Sequence, residues 1–322
     1  MMLKRIALAA LLALSASASH GQDRYPNRPV KIIVPTPAGG PVDVVARLTA
    51  QYLSGTIGQS VVVDNRPGAG NTLGSKEAAR AEPDGYTLLY SSVSGLILSP
   101  LIQKDPGYDP ITSFAPIAPV GTGTTILVVH PSFPAKTVQE LVAYAKANPG
   151  KVNFSSGGVG VLPHMIGEMF KSRAGIDIVH VPYRGGGQAL TGLIAGEVQV
   201  LFSTLVQILP HVREGRLKGL AVTSATRSAL APELPTMVES GYDQLVTTSV
   251  SLIVAPPGTP LAIREQINKA TAAALDTPEV KQVFSNLGAE AKIASPDDVS
   301  AYLADAEKRW SGFIAASKLS IE

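Results

Sequence analysis

The chain has 322 residues, of which 45% are hydrophobic and 16% are charged, so it is long enough for two folded lobes and is not a disordered protein. It contains no cysteine, which excludes disulfides, iron–sulfur clusters and thiol catalysis. Lys4 and Arg5 are the only charged residues before Asp23, and without them 25 basic residues stand against 25 acidic ones. An uncharged chain with no basic stripe is a poor binder of nucleic acid.

The first 21 residues have the three parts of a secretory signal peptide. Lys4 and Arg5 precede an apolar run from Ile6 to Leu14, and small residues follow at 15–18. The apolar run is far shorter than the roughly 20 residues that span a bilayer. We therefore predict an exported protein whose signal is cleaved after Ala18 or near Gly21.

Beyond the signal, short β-branched runs alternate with helical periodicity, which predicts an α/β protein with parallel sheets flanked by helices. The predicted strands are Val30–Val34, Val61–Val63, Tyr86–Tyr90, Thr125–Val129, Val152–Ser155, Val179–Val181, Val198–Phe202 and Leu220–Thr223. The predicted helices are Val42–Leu53, Ser75–Arg80, Val138–Ala147, one that starts near Leu162, Ile263–Leu275 and Val299–Ile314. The last helix carries the only tryptophan, Trp310, which we expect to anchor it in the core.

Two breaks in this pattern predict where the chain crosses between lobes. Residues 119–124 are rich in glycine and threonine, and residues 255–260 are rich in proline and glycine. The expected organisation is a signal peptide over 1–21, a first lobe over 22–124 and a second lobe over 125–252. The chain then returns to the first lobe over 253–322.

Two glycine loops, each between a strand and a helix, are the main candidates for a binding site. The first contains Gly39 and Gly40, which let a ligand approach the backbone before the free N–H groups of a helix start. Such a helix start attracts an anion. Asp43 can accept hydrogen bonds from this loop and hold its shape. We do not expect this carboxylate to touch an anionic ligand, because like charges repel.

The second glycine loop runs from 155 to 164 and has the same strand–glycine–helix order, with Pro163 suited to a first helical turn. If the two loops face each other across a cleft, backbone N–H groups from both lobes could hold an acid without any basic side chain. Residues 91–94 and 183–187 are further candidate loops. Arg184 in the latter either pairs with a carboxylate or lies solvated at the surface.

Signals for catalysis or for a metal are weak. The sequence has no Gly-x-Ser-x-Gly elbow and no phosphate-binding Walker loop. His164 and Glu168 lie one helical turn apart, but two ligands without a third make a poor metal site. His130, His180 and His211 are each isolated in the sequence, and we interpret them as structural. We therefore predict no catalytic residue, no metal and no cofactor.

Eight segments, in order, resemble those of the Bug family of periplasmic solute receptors, which serve tripartite tricarboxylate transporters. The segments are 25–35 (YPNRPVKIIVP), 39–47 (GGPVDVVAR), 63–70 (VDNRPGAG), 83–88 (PDGYTL), 180–186 (HVPYRGG), 215–224 (GRLKGLAVTS), 234–236 (LPT) and 255–260 (APPGTP). Each segment alone is weakly specific, but eight in the right order are highly specific. The resemblance extends from Tyr25 to Trp310.

This resemblance implies a two-lobe periplasmic binding fold of type II, in which a cleft closes on one small carboxylate. It also implies that both glycine loops contact the ligand. The site residues carried over are Thr36, Gly39, Gly40 and Asp43 in the first lobe, and Ser156, Gly157, Val161 and His164 in the second. Candidates added to these are Ser92, Gly158, Arg184 and Ser203.

Several positions depart from the family pattern, and all of them concern the ligand. Thr36 replaces a common aromatic residue, and Val161 replaces a hydroxyl residue near the second-lobe helix start. Gln199 and Ser203 stand where acidic residues are common, and residues 250–252 replace a Trp-x-Gly. Dicarboxylates, tricarboxylates, aromatic acids, acidic amino acids and nicotinate-like acids therefore all remain open as ligands.

The predicted function is that of a monomeric periplasmic receptor, not an enzyme, which captures an organic acid and delivers it to a membrane transporter of the tripartite tricarboxylate type. An exported subunit that senses an organic acid for a signalling system would share every binding residue. A secreted α/β enzyme is a further alternative, which the lack of a nucleophile–base pair disfavours.

Overall fold

The computed structural model of the protein describes residues 25–39, 41–286 and 289–317. Its strands are β1 (Val30–Val34), β2 (Val61–Asn65), β3 (Thr87–Ser92), β4 (Ala115–Val129), β5 (Val152–Ser156), β6 (Ile178–Pro182), β7 (Val200–Thr204), β8 (Lys218–Val222), β9 (Thr248–Ala255) and β10 (Ala289–Ala291). Its α-helices are α1 (Pro41–Ile57), α2 (Thr72–Ala79), α3 (Ser99–Ile102), α4 (Val138–Ala147), α5 (Leu162–Ala174), α6 (Gly186–Ile194), α7 (Leu205–Arg213), α8 (Leu261–Leu275), α9 (Pro278–Asn286) and α10 (Pro296–Ser317). The predicted signal peptide lies outside the described residues. Within them, no helix combines the length and the hydropathy needed to cross a membrane.

The strands form two lobes that share β4. In the first lobe the strand order is β2-β1-β3-β9-β4, with β10 also paired to β4. In the second lobe β4 pairs with both β7 and β8, and β5 joins β7 to β6. Pairs β1–β2, β1–β3, β5–β6 and β5–β7 are parallel, whereas the pairs made by β4 and β9 are antiparallel. This is the predicted two-lobe α/β architecture.

Strand β4 changes partners in its middle. Thr124 is opposite Thr248 of β9 in the first lobe, and the next residue, Thr125, is opposite Thr204 of β7 in the second. The two lobes are therefore joined through continuous backbone hydrogen bonding along one strand of 15 residues. A shared strand restricts how far the lobes can slide past each other, because its two halves cannot move independently.

Two sequence interpretations differ from this arrangement. Residues 119–124, predicted to form a break between lobes, lie inside β4, where register shifts relative to β9 accommodate Pro116 and Pro119. Strand β9, absent from the predicted strands, begins at Thr248 and pairs with β3 and β4 of the first lobe. Both segments are strands because they pair with distant strands on both sides, which their local composition does not indicate.

The apolar core extends through both lobes. One cluster of buried side chains includes Leu96 and Ile102 of the first lobe together with Leu162 and Phe170 of the second. Trp310 belongs to the same cluster and is 1% exposed, which confirms its predicted role as the core anchor of the last helix. Burial of these side chains supplies most of the driving force that holds the elements in place.

Helix α5 packs closely on β5, at the element that leads into the second glycine loop. A Cβ atom added to Gly167 of α5 would lie 2.2 Å from Cε2 of Phe154, whose ring is fully buried. The neighbouring β5 residue Ser156 begins the second glycine loop. Gly167 therefore fixes the distance between this helix and the strand that positions the loop.

We expect Gly167→Ala to lower the free energy of unfolding by about 1–3 kcal/mol, because Phe154 must move to admit the methyl group. Gly312→Ala in α10 is the matched control, since a Cβ atom there meets nothing within 4 Å. The control is expected to raise stability by roughly 0.5–1 kcal/mol through helix propensity. Urea unfolding of both variants measures this; equal effects would contradict the close packing of α5 on β5.

Candidate functional site

The first glycine loop connects β1 to α1 and is held by the buried carboxylate of Asp43. Asp43 Oδ2 accepts hydrogen bonds from the Gly39 N–H and from Arg47 Nε, both at 2.9 Å. Asp43 Oδ1 accepts from Asn65 Nδ2, which also donates to the Thr36 carbonyl oxygen. The prediction that Asp43 shapes this loop is thus confirmed.

The charge of Asp43 is stabilised although the side chain is only 3% exposed. Burial alone would raise the pKa of the Asp43 carboxyl, but hydrogen bonds from Arg47, Gly39 and Asn65 outweigh it and hold the pKa below its ordinary value of 3.8. All three donors point at the carboxylate, so Asp43 serves the loop and presents no free oxygen to an anionic ligand. Gly39 has φ +82° and is exposed. Gly40 lies outside the described residues.

The second glycine loop follows β5 and lies against the loop at 183–186. A Cβ atom on Gly157 would come within 2.8 Å of the Gly186 nitrogen, and Gly158 has φ +138° beside the Tyr183 carbonyl oxygen. Only glycine fits this close backbone contact. The Arg184 side chain is exposed, while its backbone N–H donates to Gln188 Oε1. Arg184 therefore belongs to a loop that supports the second glycine loop.

Two stacked histidines lie beneath the second glycine loop. The rings of His164 and His180 are stacked with their centroids 4.0 Å apart, and His180 Nε2 lies 2.8 Å from Ser156 Oγ. Ser156 Oγ donates to the Gly158 carbonyl oxygen, so His180 donates to Ser156 from Nε2. His164 Nδ1 accepts from the Gly160 N–H. Both rings thus hold the backbone of the loop.

His180 has the structural role that was predicted, but it is not isolated in the fold. No sequence pattern indicates that His180, at the middle of β6, stacks on His164 at the start of α5. Burial lowers the pKa of His164 to about 4, and burial together with repulsion from His164 lowers that of His180 to about 3. Both rings are therefore neutral at physiological pH. Within the described residues no group of three or more His, Asp or Glu side chains could hold a metal.

A cavity of about 160 Å³ lies between the two lobes, where β1, β3 and β7 end. Three of the predicted site residues line it: Thr36, Ser92 and Val161. The other described candidates, namely Gly39, Asp43, Ser156, Gly157, Gly158, His164, Arg184 and Ser203, are not among its lining residues. Ser203 is 5% exposed and donates to Gln207 Oε1. Most of these candidates therefore shape the loops around the cavity.

Sequence reasoning missed several residues that line this cavity. They are Asn71, Thr125, Thr204 and Ser249, whereas Ser91 and Ser94 belong to the candidate loop 91–94 but were not singled out as site residues. Asn71 could have been found from the glycine-rich turn that precedes it, and the structure gives it a φ of +77°. Thr204 and Ser249 carry no comparable signal, since their strands come together only through β4 and β9.

The two lobes touch at the edge of the cavity. The Leu162 N–H, at the start of α5, donates to Ser94 Oγ of the first lobe at 3.0 Å. Gly160, with φ +82°, packs against Ile102, whose Cδ1 would be 2.4 Å from an added Cβ atom. Val161 is the N-cap residue of α5 and makes no side-chain capping bond. The Leu162 N–H is thus engaged by Ser94, and the next residue, Pro163, has no N–H.

The polar side chains of the cavity wall are hydroxyl groups and the amide of Asn71. None of the described residues that line it carries a charge. Thr36 Oγ1 and Ser91 Oγ are buried and have no hydrogen-bond partner among the described residues. Unpartnered buried hydroxyls are uncommon in folded proteins, because each costs free energy that a bound group can recover. Both residues line the cavity.

We expect Asp43→Asn to destabilise the protein by about 1–3 kcal/mol, because the new amide donor faces donors that the carboxylate satisfied. The pKa of Asp43 is lower in the folded state, so its stabilisation is present above pH 3.8 and is lost as the pH falls through the folded pKa. Unfolding curves between pH 2 and 7 should show less of this loss in the variant. The control Asp64→Asn, which breaks an exposed pair with Arg66, should change stability by less than about 1 kcal/mol; equal effects would contradict the role of Asp43.

The histidine pair predicts a second pH dependence. Both folded pKa values lie below the ordinary value of 6.5, so the stabilisation is present above pH 6.5 and is lost as the pH falls towards 4. Unfolding below pH 6.5 is accompanied by proton uptake at these histidines. We expect His164→Gln and His180→Gln each to reduce this uptake by about one proton, which would appear as a shallower fall of Tm between pH 6.5 and 4. His130→Gln removes a histidine outside the cluster and serves as the control. If the variant with both substitutions shows the same fall of Tm between pH 6.5 and 4 as the natural protein, the histidines are not a buried neutral pair.

Comparison with known proteins identifies the family. Residues 45–319 match the model of the tripartite tricarboxylate transporter family receptor. The chain is 38% identical over 297 residues to protein BugT of Bordetella pertussis, covering 91% of this chain and 90% of BugT.

Solved structures of related proteins support the same family. The periplasmic binding protein BugD superposes with a TM-score of 0.83 at 34% identity, covering 92% of this chain and 100% of BugD. Rpa4515 of R. palustris, solved with adipate, superposes with a TM-score of 0.85 at 31% identity, covering 92% of this chain and 99% of Rpa4515. The chain is therefore a member of the tripartite tricarboxylate transporter receptor family, a solute-binding protein of the Bug type.

Proposed function

We propose that this protein captures a small organic acid in the cavity between its lobes and delivers it to a membrane transporter of the tripartite tricarboxylate type. The observation that carries this proposal is the pair of buried, unpartnered hydroxyls, Thr36 Oγ1 and Ser91 Oγ, in the wall of a cavity that both lobes line. The adipate in the related Rpa4515 supports a carboxylate as the ligand.

The carboxylate would be held by neutral donors. Thr36 and Ser91 can each donate a hydroxyl hydrogen, and Ser92, Ser94 and Asn71 lie in the same wall. The start of α5 adds only the partial positive charge of the helix dipole, because the Leu162 N–H donates to Ser94 and Pro163 has no N–H. Hydrogen bonds to a charged acceptor are stronger than those between neutral groups, so several such donors can replace the lost hydration of one carboxylate.

Capture then depends on the two lobes acting together. Thr36 and Ser91 belong to the first lobe, whereas Val161, Leu162 and Thr204 belong to the second. A ligand that contacts both walls stabilises the arrangement in which they approach each other. The ligand-dependent change in lobe arrangement is the signal that a membrane partner would recognise. No chemical step on the ligand is part of this function.

The proposed function also implies a cellular location and an oligomeric state. A cleaved signal over 1–21 would place the mature protein in the periplasm, where the family's receptors act. We further propose that it works as a monomer and needs no cofactor. Thr36 on the first-lobe side and Val161 on the second would contact the ligand, while the loops around them would be held in place by Gly39, Gly40, Asp43, Ser156, Gly157 and His164.

The test is the affinity for organic acids of the mature protein, unfolded and refolded to remove any ligand that copurifies. A ligand that binds only the folded state raises Tm with concentration. We expect Thr36→Val to weaken binding of the best acid by roughly 10- to 100-fold, because a hydrogen bond to a charged group is lost. Stability without ligand should stay equal or rise, since the hydroxyl removed has no partner.

Thr56→Val is the matched control. Thr56 is exposed, donates to the Tyr52 carbonyl oxygen within α1 and lies outside the cavity wall. It should leave the affinity unchanged. If no acid raises Tm of the refolded protein, the proposed function is wrong. If an acid binds and Thr36→Val has no effect, the ligand does not occupy this cavity.

A further inference from the structure

A second cavity, of about 100 Å³, adjoins the interlobe cavity. Three residues line both: Val42 of α1, Thr204 at the end of β7 and Ser249 of β9. A ligand that fills the first cavity therefore reaches the second by passing these side chains. We call the second cavity the tail chamber.

The wall of the tail chamber is mainly carbon. Val45, Tyr90, Val206 and Phe284 contribute its apolar side chains, and none of the described lining residues is charged. Tyr90 is fully buried, and burial raises the pKa of its phenol well above the ordinary value in spite of a hydrogen bond with Ser251. The phenol is therefore neutral, and no cation is available there for an anionic group.

Phe284 is held at this wall by the lack of a side chain at Gly121. A Cβ atom on Gly121 would lie 2.2 Å from Cε1 of Phe284, whose side chain is 2% exposed. The ring thus occupies space that any other residue at 121 would take. This close contact between α9 and β4 gives the chamber a fixed aromatic boundary.

The two cavities differ in the number of hydrogen-bonding groups in their walls. Six polar residues line only the interlobe cavity, namely Thr36, Asn71, Ser91, Ser92, Ser94 and Thr125, whereas the hydroxyl side chains that line only the tail chamber, besides the Tyr90 phenol, are those of Thr122, Thr124 and Ser251. A second carboxylate in the tail chamber would meet fewer donors and no cation, and burial of an incompletely compensated charge is strongly disfavoured. An apolar group, in contrast, gains free energy by leaving water there.

We propose that the ligand is an aliphatic monocarboxylate whose carboxylate binds at Thr36 and Ser91 and whose hydrocarbon tail enters the tail chamber. The chamber is smaller than the cavity of about 150 Å³ that is known to hold a benzene ring, so a tail of about three or four carbons fits it. An acid of about six to eight carbons would then span both cavities. This inference rests on the proposed function, because it names the ligand class for the same cleft.

Hexanoate and adipate provide the sharpest comparison, because both have six carbons and differ only in the group at one end. We expect the refolded protein to bind hexanoate at least tenfold more tightly than adipate. Along the series butanoate, pentanoate and hexanoate, affinity should rise about fourfold per methylene group, as expected for burial of each group from water. Calorimetric titration of the refolded protein measures each dissociation constant.

Val206→Lys tests the position of the tail. Val206 is half-buried on α7 and lines the tail chamber but not the interlobe cavity. A lysine there provides a cation for a second carboxylate, so the preference should move towards adipate by about tenfold or more. Val206→Met, which has a side chain of similar length and no charge, is the control and should keep the preference for hexanoate.

The outcomes separate this inference from the proposed function. Tighter binding of adipate than of hexanoate by the natural protein would overturn the inference and leave an acid receptor in place. An unchanged hexanoate-to-adipate ratio in a folded Val206→Lys variant would equally overturn it. If neither these acids nor the wider panel bind, the proposed function fails and the inference fails with it.

Discussion

The cleft of this protein depends on one strand that belongs to both sheets. Strand β4 pairs with β9 up to Thr124 and with β7 from Thr125, so the lobes meet at a defined peptide bond. The residues at this change of partner, Thr125, Thr204 and Ser249, form the floor of the interlobe cavity. Because main-chain hydrogen bonds fix these strands, the floor is rigid, while the glycine loops above it are set by side-chain contacts.

Each glycine loop is positioned by a different kind of polar group. In the first lobe a charged carboxylate, Asp43, collects donors from the loop and from two side chains. In the second lobe two neutral histidine rings, His164 and His180, make hydrogen bonds to the loop. In both cases the group is buried and bonded to the loop, so its role is to hold the loop in place.

The neutrality of the cavity follows from this division of roles. Charged groups such as Asp43 are neutralised within the loops, and the cavity itself presents hydroxyl groups and the Asn71 amide. A site of this kind can bind an anion by dipoles alone, at the cost of desolvating few protein charges. The adjoining carbon-walled chamber makes the shape and polarity of the rest of a ligand as important as its acidic group.

Local patterns in the sequence predicted much of the fold. Helix Val138–Ala147 agrees at both ends, because Thr137 caps its start by accepting from the Glu140 N–H and its apolar residues repeat at helical spacing. Strand β1 likewise agrees, since its β-branched run is bounded by proline. Strand β9 and the middle of β4 were missed, because their stability comes from pairing with distant strands and not from their own composition.

The sequence by itself determined the α/β class, the resemblance to the Bug family and the role of Asp43 in the first glycine loop. These follow from interactions between residues that are near in the chain, or from motifs that keep their order. Only the tertiary structure decided that Asn71, Ser91, Thr204 and Ser249 line the cavity with Thr36, and that His180 stacks on His164. Such groupings depend on the order of the strands, which places β5 beside β6 in the second lobe and brings Thr204 and Ser249 to Thr36 across more than 100 positions, in ways that no local pattern records.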